Sequence, residues 1–217
     1  MIEPEDYTAA EVQALKKAGN TVLAYLNVGA IENYRSYYKQ LEKYTLRKLD
    51  DWEDERYLDV CKPAVQDWAI NQGMCFLNAG YDGLWIDNLD MYEEYPSDNA
   101  YKGVTRILQA LYPHGYIMIN GGMEYMLRSI ADKARVAHGV TQEEVFSLIT
   151  DYDERGTFGA QIASESLEYQ KYIAKALNAG MEAYLLEYTK DIKLKDKIIK
   201  YCNASGAGYY ISEDVDL

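Results

Sequence analysis

The apolar positions of this chain change period in a regular way. A run spaced as one face of a helix is followed, after a glycine, by a short run that is apolar on both faces. Thr8-Ala-Ala-Glu11 is a capping box, and Val12 and Leu15 follow at helical spacing until Gly19 closes the element. Residues 21–28 come next, β-branched and apolar on both sides, the pattern of a strand buried in a parallel sheet. The unit recurs. Helical patterns over 63–78, 99–111, 123–132, 160–179 and 192–203 lead to strand patterns over 83–87, 116–120, 135–143, 181–188 and 208–212. Helix-then-strand alternation with glycine-marked links predicts parallel strands covered by helices.

The expected fold class is therefore α/β, a (β/α)8 TIM barrel. Such a barrel has about eight strands in roughly 250 residues, whereas six strands are legible in these 217 residues. One or two N-terminal strands are expected to be lacking, with residues 2–7 as a remnant of one. A doubly wound sheet is the alternative, but no G-x-G-x-x-G turn follows any strand. With no proline-rich, serine-rich or low-complexity stretch to divide it, 1–217 reads as one N-terminally incomplete domain. The longest connection, after Val28, carries Tyr34, Tyr37, Tyr38, Trp52 and an acidic run; in a barrel it would be a wall or lid on the catalytic face, or simply solvated surface. Tyr34, Tyr37, Tyr38 and Tyr44 could form one helix face.

In a barrel, residues closing the strands face the active site, and Asp87, Asn120, Glu143 and Glu187 all fall at or just after strand ends. Two carboxylates flanking one bond are the apparatus of glycoside hydrolysis, one protonating the leaving oxygen and the other attacking or activating water. Asp87 and Glu143 are the candidate pair, with Tyr25, Asn88, Asp90, Asn120, Glu187 and Tyr188 lining a groove. Other uses stay open: Asp87, Asn88 and Asp90 suit a helix cap or a calcium ion, and Thr141-Gln-Glu-Glu144 matches a capping box. Asn120 and Glu187 could be structural hydrogen-bonding groups.

Composition narrows the partners. With 35 acidic against 22 basic side chains the net charge is −13, which opposes nucleic acid and anionic lipid and accommodates a cationic or neutral ligand. Twenty-two tyrosines supply flat apolar faces with hydrogen-bonding hydroxyls, as sugar clefts use. His114 and His138 stand alone, without the spacing of a zinc site or a nucleophile triad, so neither metal nor cofactor is implied. Cys61, Cys75 and Cys202 lack any C-x-x-C spacing and are expected to pack as small apolar residues. Met1-Ile-Glu-Pro-Glu-Asp6 lacks the charged start and apolar centre of a signal peptide.

Leu23-Ala-Tyr-Leu-Asn-Val-Gly29, Trp52 with Tyr57-Leu-Asp-Val60, Gly80-Tyr-Asp-Gly-Leu-Trp-Ile-Asp-Asn-Leu-Asp90 and Gln142-Glu-Glu-Val-Phe146 resemble, in this order, the motifs of glycoside hydrolase family 114, the endo-α-1,4-polygalactosaminidases, and their bacterial and archaeal relatives. Some of those relatives carry the label "cysteinyl-tRNA synthetase-related", to which this chain offers neither H-I-G-H nor K-M-S-K-S. The resemblance covers nearly the whole chain and implies a (β/α)8 barrel whose catalytic pair falls on Asp87 and Glu143. It also implies an extracellular or cell-surface setting and a galactosamine-rich, partly de-N-acetylated and therefore cationic polysaccharide as substrate. A non-catalytic carbohydrate-binding barrel is the competing expectation.

Overall fold

The computed structural model describes residues 1–50, 52–151 and 157–214. They form two compact units, Met1–His138 and Gly139–Leu217.

In the first unit the capping box forms as expected: Thr8 Oγ1 accepts from the Glu11 amide and the Thr8 amide donates to Glu11, so α1 (Ala9–Lys17) starts with its first amides satisfied. Strand β1 (Leu23–Asn27) follows, then β2 (Ala30–Glu32), a short helix α2 (Tyr38–Leu41), β3 (Thr45–Lys48) and β4 (Glu55–Leu58). Pro63, at a position where a missing amide costs nothing, opens α3 (Pro63–Asn78), which leads to β5 (Gly83–Asp87). The one-turn α4 (Met91–Glu94), α5 (Asp98–Leu111), β6 (Tyr116–Asn120) and α6 (Met123–Ala131) complete the unit. β1, β5 and β6 are parallel neighbours, with Asn27 opposite Asp87 and Ile86 opposite Ile119. Leu84 and Ile86 on β5 and Val65, Ile107 and Leu108 on the covering helices have no exposed surface. That two-sided burial explains why these strands are apolar on both faces.

Ile2 makes a single parallel bridge to Ala24, exchanging backbone bonds with Leu23 and Tyr25. It is the strand remnant expected at 2–7, reduced to one residue. The long connection after Val28 differs from expectation. Instead of one helical tyrosine face it forms a small antiparallel sheet of order β2-β4-β3, in which Glu32 lies directly opposite Glu55. Tyr38 is buried in α2 whereas Tyr34 is exposed.

The second unit runs β7 (Gly139–Glu143), β8 (Ser147–Asp151), β9 (Thr157–Ala160), α7 (Ala163–Asn178), β10 (Glu182–Tyr188), α8 (Ile192–Ser205) and β11 (Gly208–Ser212). β10 is the parallel neighbour of both β7 and β11, and β8 pairs antiparallel with β9. The helix expected over 160–179 begins three residues later because 157–160 pairs with β8 instead. Of the cysteines only Cys202 packs as a buried apolar residue; Cys61 is half-buried and Cys75 exposed, each as a free thiol. No described helix is long and apolar enough to cross a membrane.

Candidate active site

Asp87 closes β5, and its two oxygens have separate donors. The Tyr25 hydroxyl donates to Oδ2 at 2.9 Å and the Asn120 amide to Oδ1 at 3.0 Å. Both partners come from the strands that flank β5, so the parallel register brings the three side chains together. Burial raises the proton affinity of Asp87, and the bonds from Asn120 and Tyr25 partly offset that rise. Tyr25 is pushed well above the ordinary tyrosine range, first by burial and then by the charge of Asp87, so its hydroxyl keeps its proton and acts as donor.

Around this core lies a second set of polar groups. Asn27 turns its Oδ1 to the Ala30 amide at 2.8 Å and its Nδ2 to Glu55 Oε2 at 3.3 Å. Asn88 donates to the same Glu55 oxygen at 3.3 Å and holds a left-handed backbone with φ 61°. Glu55 is raised to about 7, by burial first and then by Glu32 and Asp87. Gly29 makes this convergence possible. A Cβ on it would stand 1.6 Å from the Asn88 carbonyl oxygen, so only glycine lets the β1–β2 link pass against the end of β5.

Asp90, expected beside Asp87 in the groove, is occupied differently. Its Oδ1 accepts from the Gly122 amide at 2.8 Å, tying the α4 segment to the turn that opens α6, where Gly121 and Gly122 both have positive φ. Burial raises Asp90 to about 7. It places no side-chain bond on the first turn of α4, so the alternative reading of Asp90 as a helix cap is not met.

In the second unit Glu143 closes β7 and accepts from the Tyr188 hydroxyl at 2.6 Å. Glu143 pairs with Leu186 in the register, which sets Tyr188 two residues further along β10 on the same side. Glu187 is not a groove residue. Fully buried, it accepts from the amides of Phe146 and Ser147 and from Ser147 Oγ at 2.6 Å, so it fixes the turn after Glu143. Glu144 caps no helix either. It sits in that turn at φ 57° and accepts from the Ile149 amide, because β7 continues into β8 rather than into a helix.

Sequence reasoning missed Glu32 and Glu55. The signal was present in Glu55-Arg-Tyr-Leu-Asp59, an acid at the head of a short apolar run, but no strand was expected there.

A model of glycoside-hydrolase family GH114 matches residues 1–216. The chain belongs to that family. Among solved structures its fold is similar to the glycoside hydrolase domain of PelA from Pseudomonas aeruginosa, with a TM-score of 0.80 at 18% identity over 97% of this chain and 85% of that one. It is also similar to Ega3 of Aspergillus fumigatus in complex with galactosamine, with a TM-score of 0.73 at 16% identity over 94% of this chain and 79% of that one. With the alternation of helices and parallel strands, these likenesses make this GH114 member a partial (β/α)8 barrel. An uncharacterized protein of Deinococcus radiodurans is 33% identical over 94 residues, which are 41% of this chain and 30% of that one. The match thus takes in less than a third of that relative's length.

Proposed function

We propose that this GH114 chain is an endo-acting glycosidase of the α-1,4-polygalactosaminidase kind, with Asp87 and Glu143 as its carboxylate pair. The observation that carries the reading is that each acid closes a parallel strand and is met there by a tyrosine hydroxyl. Strand ends of this kind hold the catalytic groups of barrel enzymes. In the proposed reaction Glu143, as a carboxylic acid, protonates the glycosidic oxygen while the bond from the anomeric carbon to that oxygen breaks. Asp87, ionised, attacks the anomeric carbon or stabilises the positive charge developing on it. Water then completes hydrolysis, with its proton returning to a carboxylate. Tyr25, Asn88 and Asn120, gathered around Asp87, are the groups proposed to meet the sugar, with Tyr188 beside Glu143.

Galactosamine in the Aspergillus structure supports an amino sugar as substrate, and the net charge of −13 suits a cationic polysaccharide. The setting implied for such a polymer is extracellular or cell-surface. The test is incubation with de-N-acetylated α-1,4-polygalactosamine, counting new reducing ends. Wild type should release oligosaccharides, while Asp87→Asn and Glu143→Gln, each folded by its melting transition, should lose at least about a hundredfold in rate, the lower range for a positioned acid or base. Binding without cleavage by wild type would leave a carbohydrate-binding barrel instead.

A further inference from the structure

The second unit inverts the charge of the chain locally. Residues 190–200 hold five lysines against two aspartates, in a protein whose net charge is −13. Among the described residues Lys195 pairs with Glu213, whereas Lys190, Lys193 and Lys197 pair with no acid. Lys190 and Lys197 stand instead over the rings of Phe158 and Phe146, at 5.3 and 4.8 Å from the centroids, a weaker service to a full charge than a carboxylate gives. Lys193 and Lys197 are one turn apart on α8, and both line a cavity of about 320 Å³ with Phe158, Thr189, Asp191 and Leu194. That volume is at the lower end for a small-molecule site, room for one sugar ring. Exposed lysines are ordinarily solvated surface; these converge on a concave wall that also carries a half-buried aromatic ring. Asp191 does not neutralise them as a free carboxylate, since its Oδ1 accepts from the Lys193 and Leu194 amides at 2.7 and 3.4 Å. The same bonds occupy the first amides of α8, so the cavity acts through its side chains and not through the helix end.

We propose that this cavity binds an acidic sugar, a hexuronate whose ring lies against Phe158 and whose carboxylate is met by Lys193 and Lys197. One face of a pyranose is a plate of C–H groups, which packs on an aromatic ring. A carboxylate takes charge-assisted bonds from ammonium groups that have no acid of their own. The Phe158 ring lies 6.3 Å from that of Tyr188 at 27°, and the Tyr188 hydroxyl donates to Glu143, so the wall of the cavity is one ring removed from that acid. The ligand is therefore a free acidic saccharide or an acidic residue of a polymer passing Glu143. Neither source depends on the polygalactosaminidase reading, because binding here requires no turnover.

The test titrates the full 15N-labelled chain with D-galacturonate, D-galactose and acetate at one fixed ionic strength and follows its amide resonances. Galacturonate should move the amides of Gly159, Leu194 and Lys197 and bind at least about fivefold more tightly than galactose, the range that two exposed charge pairs supply together. Acetate, which has the carboxylate without the ring, should bind at least about fivefold more weakly than galacturonate, the range of one aromatic contact. Lys193→Gln combined with Lys197→Gln alters two exposed side chains outside the proposed catalytic groups, so the variant should fold as wild type and bind galacturonate no better than galactose. Trigalacturonate separates the two sources: affinity at least about tenfold above that of the monosaccharide marks a site on a polymer's path, equal affinity a site for the free sugar, and either result carries the proposal. Equal binding of galactose and galacturonate, acetate as tight as galacturonate, no response at these amides, or an undiminished response in the double variant would each overturn it. Hydrolysis of polygalactosamine alongside any of those four results would leave the proposed activity standing without this site. Galacturonate binding without hydrolysis would do the reverse.

Discussion

A hydroxyl that donates to a carboxylate favours its charged form and fixes its direction. Tyr25 does this for Asp87, and the Tyr188 hydroxyl donates to Glu143 in the same way. Replacing either by Phe keeps the apolar ring and removes one donor, so the fold should hold, and Asp87, without Tyr25, should bind its proton more tightly. For Tyr25→Phe the expected result is a fall of about tenfold in kcat/KM, roughly 1.4 kcal/mol of transition-state stabilisation, with the acidic limb of the pH profile displaced upward. For Tyr188→Phe, which takes a hydroxyl donor from Glu143, a similar fall in kcat/KM is expected. A Tyr25→Phe profile that keeps its limb while the rate falls would assign that hydroxyl to the sugar instead of the acid. The strand ends that carry Asp87 and Asn120 were legible in the sequence because they are marked by a change from apolar to polar. For Glu187 the same logic left two uses open, a groove residue or a structural hydrogen-bonding group, and its bonds fit the second. Its position at a strand end is right, but its bonds to the Phe146 and Ser147 amides depend on a turn whose shape no local pattern reveals.

At the scale of elements, the helices and parallel strands were readable because each carries its own period over enough residues to be unambiguous. Residues 63–78, 83–87, 116–120 and 208–212 were placed with the bounds the structure gives. The sheet of β2, β3 and β4 was not, since strands of three or four residues show no period and their pairing is long-range in sequence. Yet that sheet supplies Glu32 and Glu55 to the end of β5. Gly29 is the hinge on which this depends, and Gly29→Ala is predicted to force apart the β1–β2 link and Asn88. Overpacking of this kind costs about 1–3 kcal/mol, at roughly 2–4 °C in Tm for each kcal/mol in a chain of this size. Displacing Asn88 also displaces Asp87, so activity should fall further than the loss of folded protein accounts for. Melting curves and active-site titration on the same sample separate the two effects, and a variant with full specific activity would show that the close approach is not needed for the site.

The whole molecule acts through its net charge of −13, a property read directly from composition but without a location until the acids around Asp87 were seen together. A cationic polymer approaching such a surface is drawn in over a distance set by salt, about 30 Å at 0.01 M and about 8 Å at 0.15 M. Ions should therefore weaken the encounter more than the chemistry, because the groups around Asp87 are partly buried and screened less. The expected outcome is that kcat/KM on de-N-acetylated polygalactosamine falls by about tenfold between those two ionic strengths, at the lower end of what steering provides, while kcat at saturation changes little. The acetylated polymer, having no charge to steer, should show neither effect. A salt dependence of equal size on both polymers would mean that salt acts on the protein's own acidic surface, and attraction of the substrate by net charge would then have to be given up, while the Asp87 and Glu143 assignments, which rest on strand-end geometry, would be untouched.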